Sequence, residues 1–97
     1  MIIVTGSITA KPETFDQIRT LSLEHVRRSR GERGCLLHSV HQDVEDPLRL
    51  VFVEHWQDRD ALNAHFQVPA SGEFVAAASA LAVGNASMQV YEANRIR

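Results

Sequence analysis

Hydrophobic and polar positions along the chain repeat with two different periods. Ile2 to Thr9 is β-branched and apolar with small polar residues interleaved, a pattern that predicts a strand. Lys11, Pro12 and Glu13 then predict a helix start, because proline is tolerated in a first helical turn and acidic residues favour its positive end. Phe15, Ile18, Leu21, Ser22, His25 and Val26 recur at helical steps and give that helix one core-facing stripe. Arg27, Arg28 and Arg30 suit its C-terminal end, and Gly34 closes the connection.

The period then shortens. Cys35 to Gln42 alternates Leu36, His38 and Val40 against Leu37, Ser39 and His41, and Leu50 to Trp56 alternates Leu50, Phe52, Glu54 and Trp56 against Val51, Val53 and His55. Both stretches predict strands, with Asp43, Val44, Glu45, Asp46 and Pro47 as the hairpin tip between them. Asp58 suits the N-cap of a helix through Ala61, Leu62, His65 and Phe66 that Pro69 interrupts. Ser71 then caps a second, Ala-rich helix carrying Phe74, Ala77, Ala78 and Leu81 inward. Gly84 and Asn85 break it, and Ser87 to Ala93 predicts a last strand.

The order is β-α-β-β-α-β with a divided second helix. That order predicts a single α+β domain over residues 1–97, a ferredoxin-like antiparallel sheet with its helices on one face. Both middle strands place apolar residues on each side, whereas a sheet with one wet face alternates more cleanly. Leu37, Val51 and Val53 would then stay open to water, forgoing roughly 1.5 to 3 kcal/mol each. A second copy of the sheet is the simplest cover, so the chain is expected to form a homodimer through sheet faces, a dimeric α+β barrel.

Composition narrows the partners. The 97 residues are 44% hydrophobic, and ten Lys plus Arg against twelve Asp plus Glu give a formal charge of −2, with no electrostatic footprint for nucleic acid or an anionic membrane. No stretch approaches the roughly 20 apolar residues of a membrane span, and the apolar start is broken by Thr5, Gly6 and Ser7, unlike a secretory leader. A lone cysteine, Cys35, forms no internal disulfide, so a cytoplasmic setting is expected. With no Gly-rich phosphate loop, a nucleotide cofactor is not expected either.

Five histidines raise the question of a metal. His38 and His41 fall on opposite strand faces, His55 lies opposite Trp56, His25 sits at the edge of a helical stripe, and no HExxH, facial-triad or thiolate spacing occurs, so no metal is expected. Asp43, Glu45 and Asp46 read as a solvated hairpin tip, and Cys35 as a small apolar residue. His65 carries the strongest catalytic claim: on a short helix beside a break, it can pass a proton at neutral pH into a cavity lined by Leu62, Phe66 and Phe74. Trp56, the only tryptophan, either plugs the core or stacks on a planar ligand, and Glu54 on the same side needs a partner such as an arginine or a backbone group if buried.

Five segments in register resemble the antibiotic biosynthesis monooxygenase domain family. They are Glu32-Arg33-Gly34-Cys35-Leu36, His41-Gln42-Asp43, Asp46-Pro47-Leu48-Arg49, Phe52-Val53-Glu54-His55-Trp56, and Ala61-Leu62-Asn63-Ala64-His65-Phe66 before Pro69. They parallel that family's EPGCL, DDP-type hairpin, Glu-x-Trp and Ala-His-Leu-x-x-Pro-His patterns. The resemblance implies a dimeric α+β barrel with a pocket between sheet and helices. It aligns His65 with a helical histidine shared by quinol-oxidising and autoinducer-processing members, Trp56 with the strand-end tryptophan, and His38 with a usual tyrosine. Ala70 stands where the second histidine is usual, and Ser71 where an apolar residue is common. No Asn occurs among Thr5, Gly6 and Ser7, as the haem-degrading branch requires.

These readings lead to one expected activity: a cofactor-independent monooxygenase acting with dioxygen on a small phenolic or quinol-like aromatic compound. His65 is the expected base or proton shuttle, His38 its helper, Trp56 a pocket wall, and Asn63 a donor to a developing oxyanion if the helix turns it inward. Two rival readings use the same residues. One is an isomerase or lyase of a small carbonyl metabolite, as in autoinducer processing; the other is a non-catalytic dimer that binds small ligands.

Overall fold

A computed structural model describes all residues, 1–97. The elements are β1 (Ile2–Ala10), α1 (Phe15–Ser29), β2 (Cys35–Gln42), β3 (Arg49–Trp56), α2 (Arg59–Gln67), α3 (Pro69–Leu81) and β4 (Ala82–Glu92). The four strands form one antiparallel sheet in the order β2-β3-β1-β4, the ferredoxin-like α+β arrangement.

Cross-strand register decides which residues meet the helices. Ile2 pairs with Trp56, Val4 with Glu54 and Ile8 with Leu50, and His38 pairs with Glu54 from the other side. Directly paired residues share a sheet face. The buried members Ile2, Val4, Ile8, His38, Leu50, Phe52, Glu54 and Trp56 therefore all point beneath the helical layer. The apolar core there divides in two. Ile8, Ala10, Ile18, Val26, Leu50, Phe52 and Ala78 form one cluster, and Ile2, Val4, Trp56 and Leu62 the other.

Three boundaries differ from the sequence reading. Residues 12–14 form a turn and α1 begins at Phe15. The Thr14 hydroxyl accepts the Lys11 N–H at 3.1 Å and donates to the Leu81 carbonyl at 2.8 Å, which fastens the entry of α1 to the end of α3. Pro69, not Ser71, opens α3, because a proline at the first helical position has the required φ and no N–H to leave unpaired. Ser71 is instead buried inside that helix. The last strand begins at Ala82 rather than Ser87: Gly84, at φ +64°, stays within the strand, and the β1–β4 register shifts between Ser7 and Thr9.

Gly34 shows why the α1–β2 connection takes its path. It adopts φ +81°, and a Cβ there would lie 2.5 Å from the Ala61 Cβ, so only glycine lets the start of β2 pass beneath α2. The Gly34 carbonyl also accepts the Gln57 N–H at 2.8 Å. This close passage brings Glu32, just before it, over to α2.

Candidate functional site

Between the two apolar clusters lies a polar one drawn from four elements and a loop. The inner face of α1 carries Ser22, His25, Val26 and Ser29, all buried. The Ser29 hydroxyl donates to the His25 carbonyl at 2.7 Å, so this small residue satisfies itself locally while its helix lies close to the sheet. Arg30 Nε donates to the His38 carbonyl at 2.9 Å and ties the end of α1 to β2. On α2, Asp58 caps the helix by accepting the Ala61 N–H at 2.8 Å, and the i, i+3 pair Leu62 and His65 turns inward.

These placements converge three imidazoles. His25, His38 and His65 are all buried, and each offers a ring nitrogen within 4.8 Å of the others. Their ring centroids stand 5.2 to 5.5 Å apart. Phe74 of α3 stacks on His25 at 4.2 Å, while Trp56 lies 4.7 Å from the His65 ring.

Two carboxylates organise the rings. His65 Nδ1 lies 2.9 Å from Glu32 Oε1, and a carboxylate oxygen accepts, so the imidazole donates there and its neutral form turns the Nε2 lone pair inward. Glu54 Oε1 accepts the Trp56 indole N–H at 2.9 Å and stands 3.4 Å from His38 Nε2 and 3.9 Å from His65 Nε2. Neither an arginine nor a backbone group supplies Glu54's partner; the tryptophan two residues on does. Arg28 donates to His25 Nδ1 at 2.7 Å, which leaves the neutral His25 ring its proton on Nε2.

The protonation energetics follow from this packing. Burial holds His25 down to about 3 from the usual 6.5, with His38, His65 and Arg28 acting in the same direction against a weaker pull from Glu54. Burial alone would raise Glu54, but the His38 ring, the Trp56 indole and His65 outweigh it and hold the carboxyl below its ordinary value. Burial, then Glu32 and Glu54, push the Cys35 thiol up, which disfavours the nucleophilic thiolate.

The expected site residues separate into two groups. His38, His65, Trp56 and Phe74 belong to the histidine cluster. Trp56 has no exposed surface, so it packs as a core plug and presents no free face to a planar ligand. Leu62, Asn63 and Phe66 instead line a cleft of about 380 Å³ between α2 and β4, together with Ile2, Arg59, Val90, Tyr91 and Glu92. Asn63 is exposed and faces away from the imidazoles, and Phe66 is 44% exposed with its ring 6.0 Å from that of His65. Helical spacing explains the split: inward Leu62 and His65 leave Asn63 and Phe66 on the adjoining flank. His25, Glu32 and Glu54 also belong to the cluster, although the sequence reading gave none of them a catalytic or binding role. The signal for His25 was its place in the apolar stripe, and for Glu54 its alternation with Phe52 and Trp56.

A four-stranded antiparallel sheet with one helical layer and a buried polar cluster beneath it defines a small α+β protein of the ferredoxin-like class. The chain belongs to the antibiotic biosynthesis monooxygenase family, whose model matches residues 1–77. It is similar over its whole length to a candidate antibiotic biosynthesis monooxygenase of Deinococcus radiodurans, at 29% identity and a TM-score of 0.95, covering 96% of that chain. Another crystal structure of an antibiotic biosynthesis monooxygenase shares 29% identity with a TM-score of 0.90, over 98% of this chain and all of the other. An uncharacterized Synechocystis protein is 34% identical over 91 residues, 94% of this chain. The chain spans 62% of that curated relative's length.

Acid should destabilise this fold from near neutrality. His25 has a lowered folded pKa, so the unfolded chain binds the extra proton between about 6.5 and 3, and stability present above that window is lost as pH falls through it. Glu54 acts in the same direction below its ordinary 4.5. Urea unfolding should therefore weaken below pH 6.5 by up to roughly 1.4 kcal/mol per pH unit for one proton, and His25→Phe should flatten that slope. Stability that rises between pH 7 and pH 5 would contradict this assignment.

Proposed function

We propose that the protein is a cofactor-independent monooxygenase oxidising a small phenolic or quinol-like aromatic compound with dioxygen. The observation that carries this reading is the Glu32–His65 dyad. A carboxylate fixes the imidazole tautomer and leaves a buried lone pair facing His38 and Glu54. A general base needs such a fixed, inward-facing lone pair to take a proton from a substrate hydroxyl. Family membership and the two monooxygenase-described structures support the reaction class.

The chemistry balances without an external reductant. His65 removes a proton, the electron-rich anion passes one electron to dioxygen, and the two radicals recombine at a ring carbon bearing hydrogen. The peroxide anion takes the proton back from His65, and the hydroperoxide then loses water as its C–H and O–O bonds break, so one oxygen atom becomes a carbonyl and the other leaves as water. The protein's part is to hold the ring in a dry place and move the proton.

The same reading pairs two copies through the outer sheet face. Ile3, Val51 and Val53 are only half-buried there, while Leu37 and Tyr91 are 40% and 52% exposed. Two such faces packed together would remove these side chains from water.

With an anthrone and quinol panel in an oxygen electrode, the full chain should consume dioxygen, and His65→Gln should lower kcat by roughly 10² to 10⁴-fold. Equal turnover by that variant, or product formed without oxygen uptake, would refute the assignment. Sedimentation at micromolar concentration should give twice the chain mass, and Val53→Glu should give a monomer. A monomeric parent chain would refute the sheet-face pairing.

A further inference from the structure

The atoms that surround Glu54 have a second use, independent of the oxygenase reading. We propose that His38 Nε2, His65 Nε2 and a Glu54 carboxylate oxygen form a binding site for a divalent first-row transition ion, with Glu32 as the outer partner of His65.

Donor type and spacing both fit. Two imidazoles and one carboxylate on adjoining positions are the set that binds iron(II), cobalt(II) and zinc(II) on one face, leaving other positions open. Such ions hold nitrogen and oxygen donors at about 2.0 to 2.2 Å, so neighbouring donors stand about 3 Å apart. The Glu54 oxygen is 3.4 Å from His38 Nε2 and 3.9 Å from His65 Nε2. His38 and His65 offer ring nitrogens within 4.8 Å of each other, so closing round an ion draws the three donors together by up to about 2 Å.

Outer contacts are already in place. Ligating histidines commonly donate their second ring N–H to a carboxylate, which orients the ring and raises its basicity, and His65 does this to Glu32 at 2.9 Å. The Trp56 indole N–H likewise fixes Glu54 at 2.9 Å. The His38 ring has no exposed surface, and neither of its nitrogens has a hydrogen-bond partner; Glu32 Oε2 is also buried without one. Unpaired buried polar atoms are costly, and a cation among them gives His38 a partner and balances two carboxylates. The Glu54 and Glu32 side chains keep 11% and 18% of their surface exposed, so the acidic side of the cluster reaches solvent.

His25 is excluded from the ligand set although its ring is close. Arg28 donates to its Nδ1, so its Nε2 carries the proton and neither nitrogen offers a lone pair inward. The site is thus two histidines and one glutamate, drawn from β2, β3 and α2. An ion held there uses the His65 lone pair that proton transfer requires, so metal binding and metal-free turnover exclude each other.

Isothermal titration of the full chain with zinc(II), and visible absorption with cobalt(II), test the site directly. One ion per chain at micromolar affinity is expected, retained in His25→Gln, His41→Gln and His55→Gln and lost in His38→Gln, His65→Gln and Glu54→Gln. Glu32→Gln should weaken binding by roughly 10 to 100-fold. Because ligand variants risk misfolding, X-ray absorption of the zinc form of the unaltered chain gives a second reading: a nitrogen and oxygen shell with two imidazoles is expected. A sulfur scatterer from Cys35, a single imidazole, or no saturable binding would overturn the proposal. Oxygen uptake that the ion suppresses and a chelator restores supports both proposals. Uptake that appears only with the ion keeps the metal site and overturns the cofactor-free mechanism.

Discussion

A carboxylate placed under the helical layer sets the terms for everything around it. Glu54 alternates with Phe52 and Trp56, so the pleat that buries those aromatics buries Glu54 as well. A buried ion must be met by donors, and in a chain this small there are few ways to supply them. The indole two residues along the strand supplies one, and His38 on the paired strand stands opposite. His65 enters from above and is held by a second acid, Glu32. Removing the charge would leave Trp56, His38 and His65 without their common focus. The cluster is in that sense one unit rather than a set of separate residues.

Apolar packing frames this unit without filling it. One hydrophobic cluster ends at Trp56 and the other is bordered by Phe74, and the imidazoles join the two, His25 stacked on Phe74 and His65 tilted against Trp56. Burial keeps His25 neutral, and its neutrality fits its role as the acceptor of Arg28. The polar cluster is thus largely buried, closely spaced and asymmetric in its protons: one imidazole presents N–H inward and another a lone pair. That asymmetry suits proton transfer, and the same lone pairs suit a cation.

Much of this fold was legible along the chain. The change from helical to alternating period located the order of elements, and the shared face of Leu50, Phe52, Glu54 and Trp56 was visible from the two-residue repeat. Two of the boundary errors share a cause, since Thr14 and Gly84 are governed by a tertiary contact and a special backbone angle that local pattern does not carry; Pro69 opens α3 by a local rule, where an interruption was expected. The site was harder to read. His38, Glu54 and His65 come from separate elements, so no short motif shows their meeting, and local spacing argued against a metal. The cross-strand pairing of His38 with Glu54 is what unites them. Asn63 and Phe66, adjacent in the helix to Leu62 and His65, fell on another flank because a helix turns about 100° per residue.

The arrangement of protons in the cluster can be observed directly. Long-range nitrogen–proton correlation NMR of the uniformly labelled chain at pH 7.5 reports which ring nitrogen of each histidine is protonated. The account requires His65 protonated on Nδ1 with a free Nε2, and His25 protonated on Nε2. A His65 ring protonated on Nε2 would contradict it, because the inward lone pair on which both proton transfer and ion binding rely would not exist.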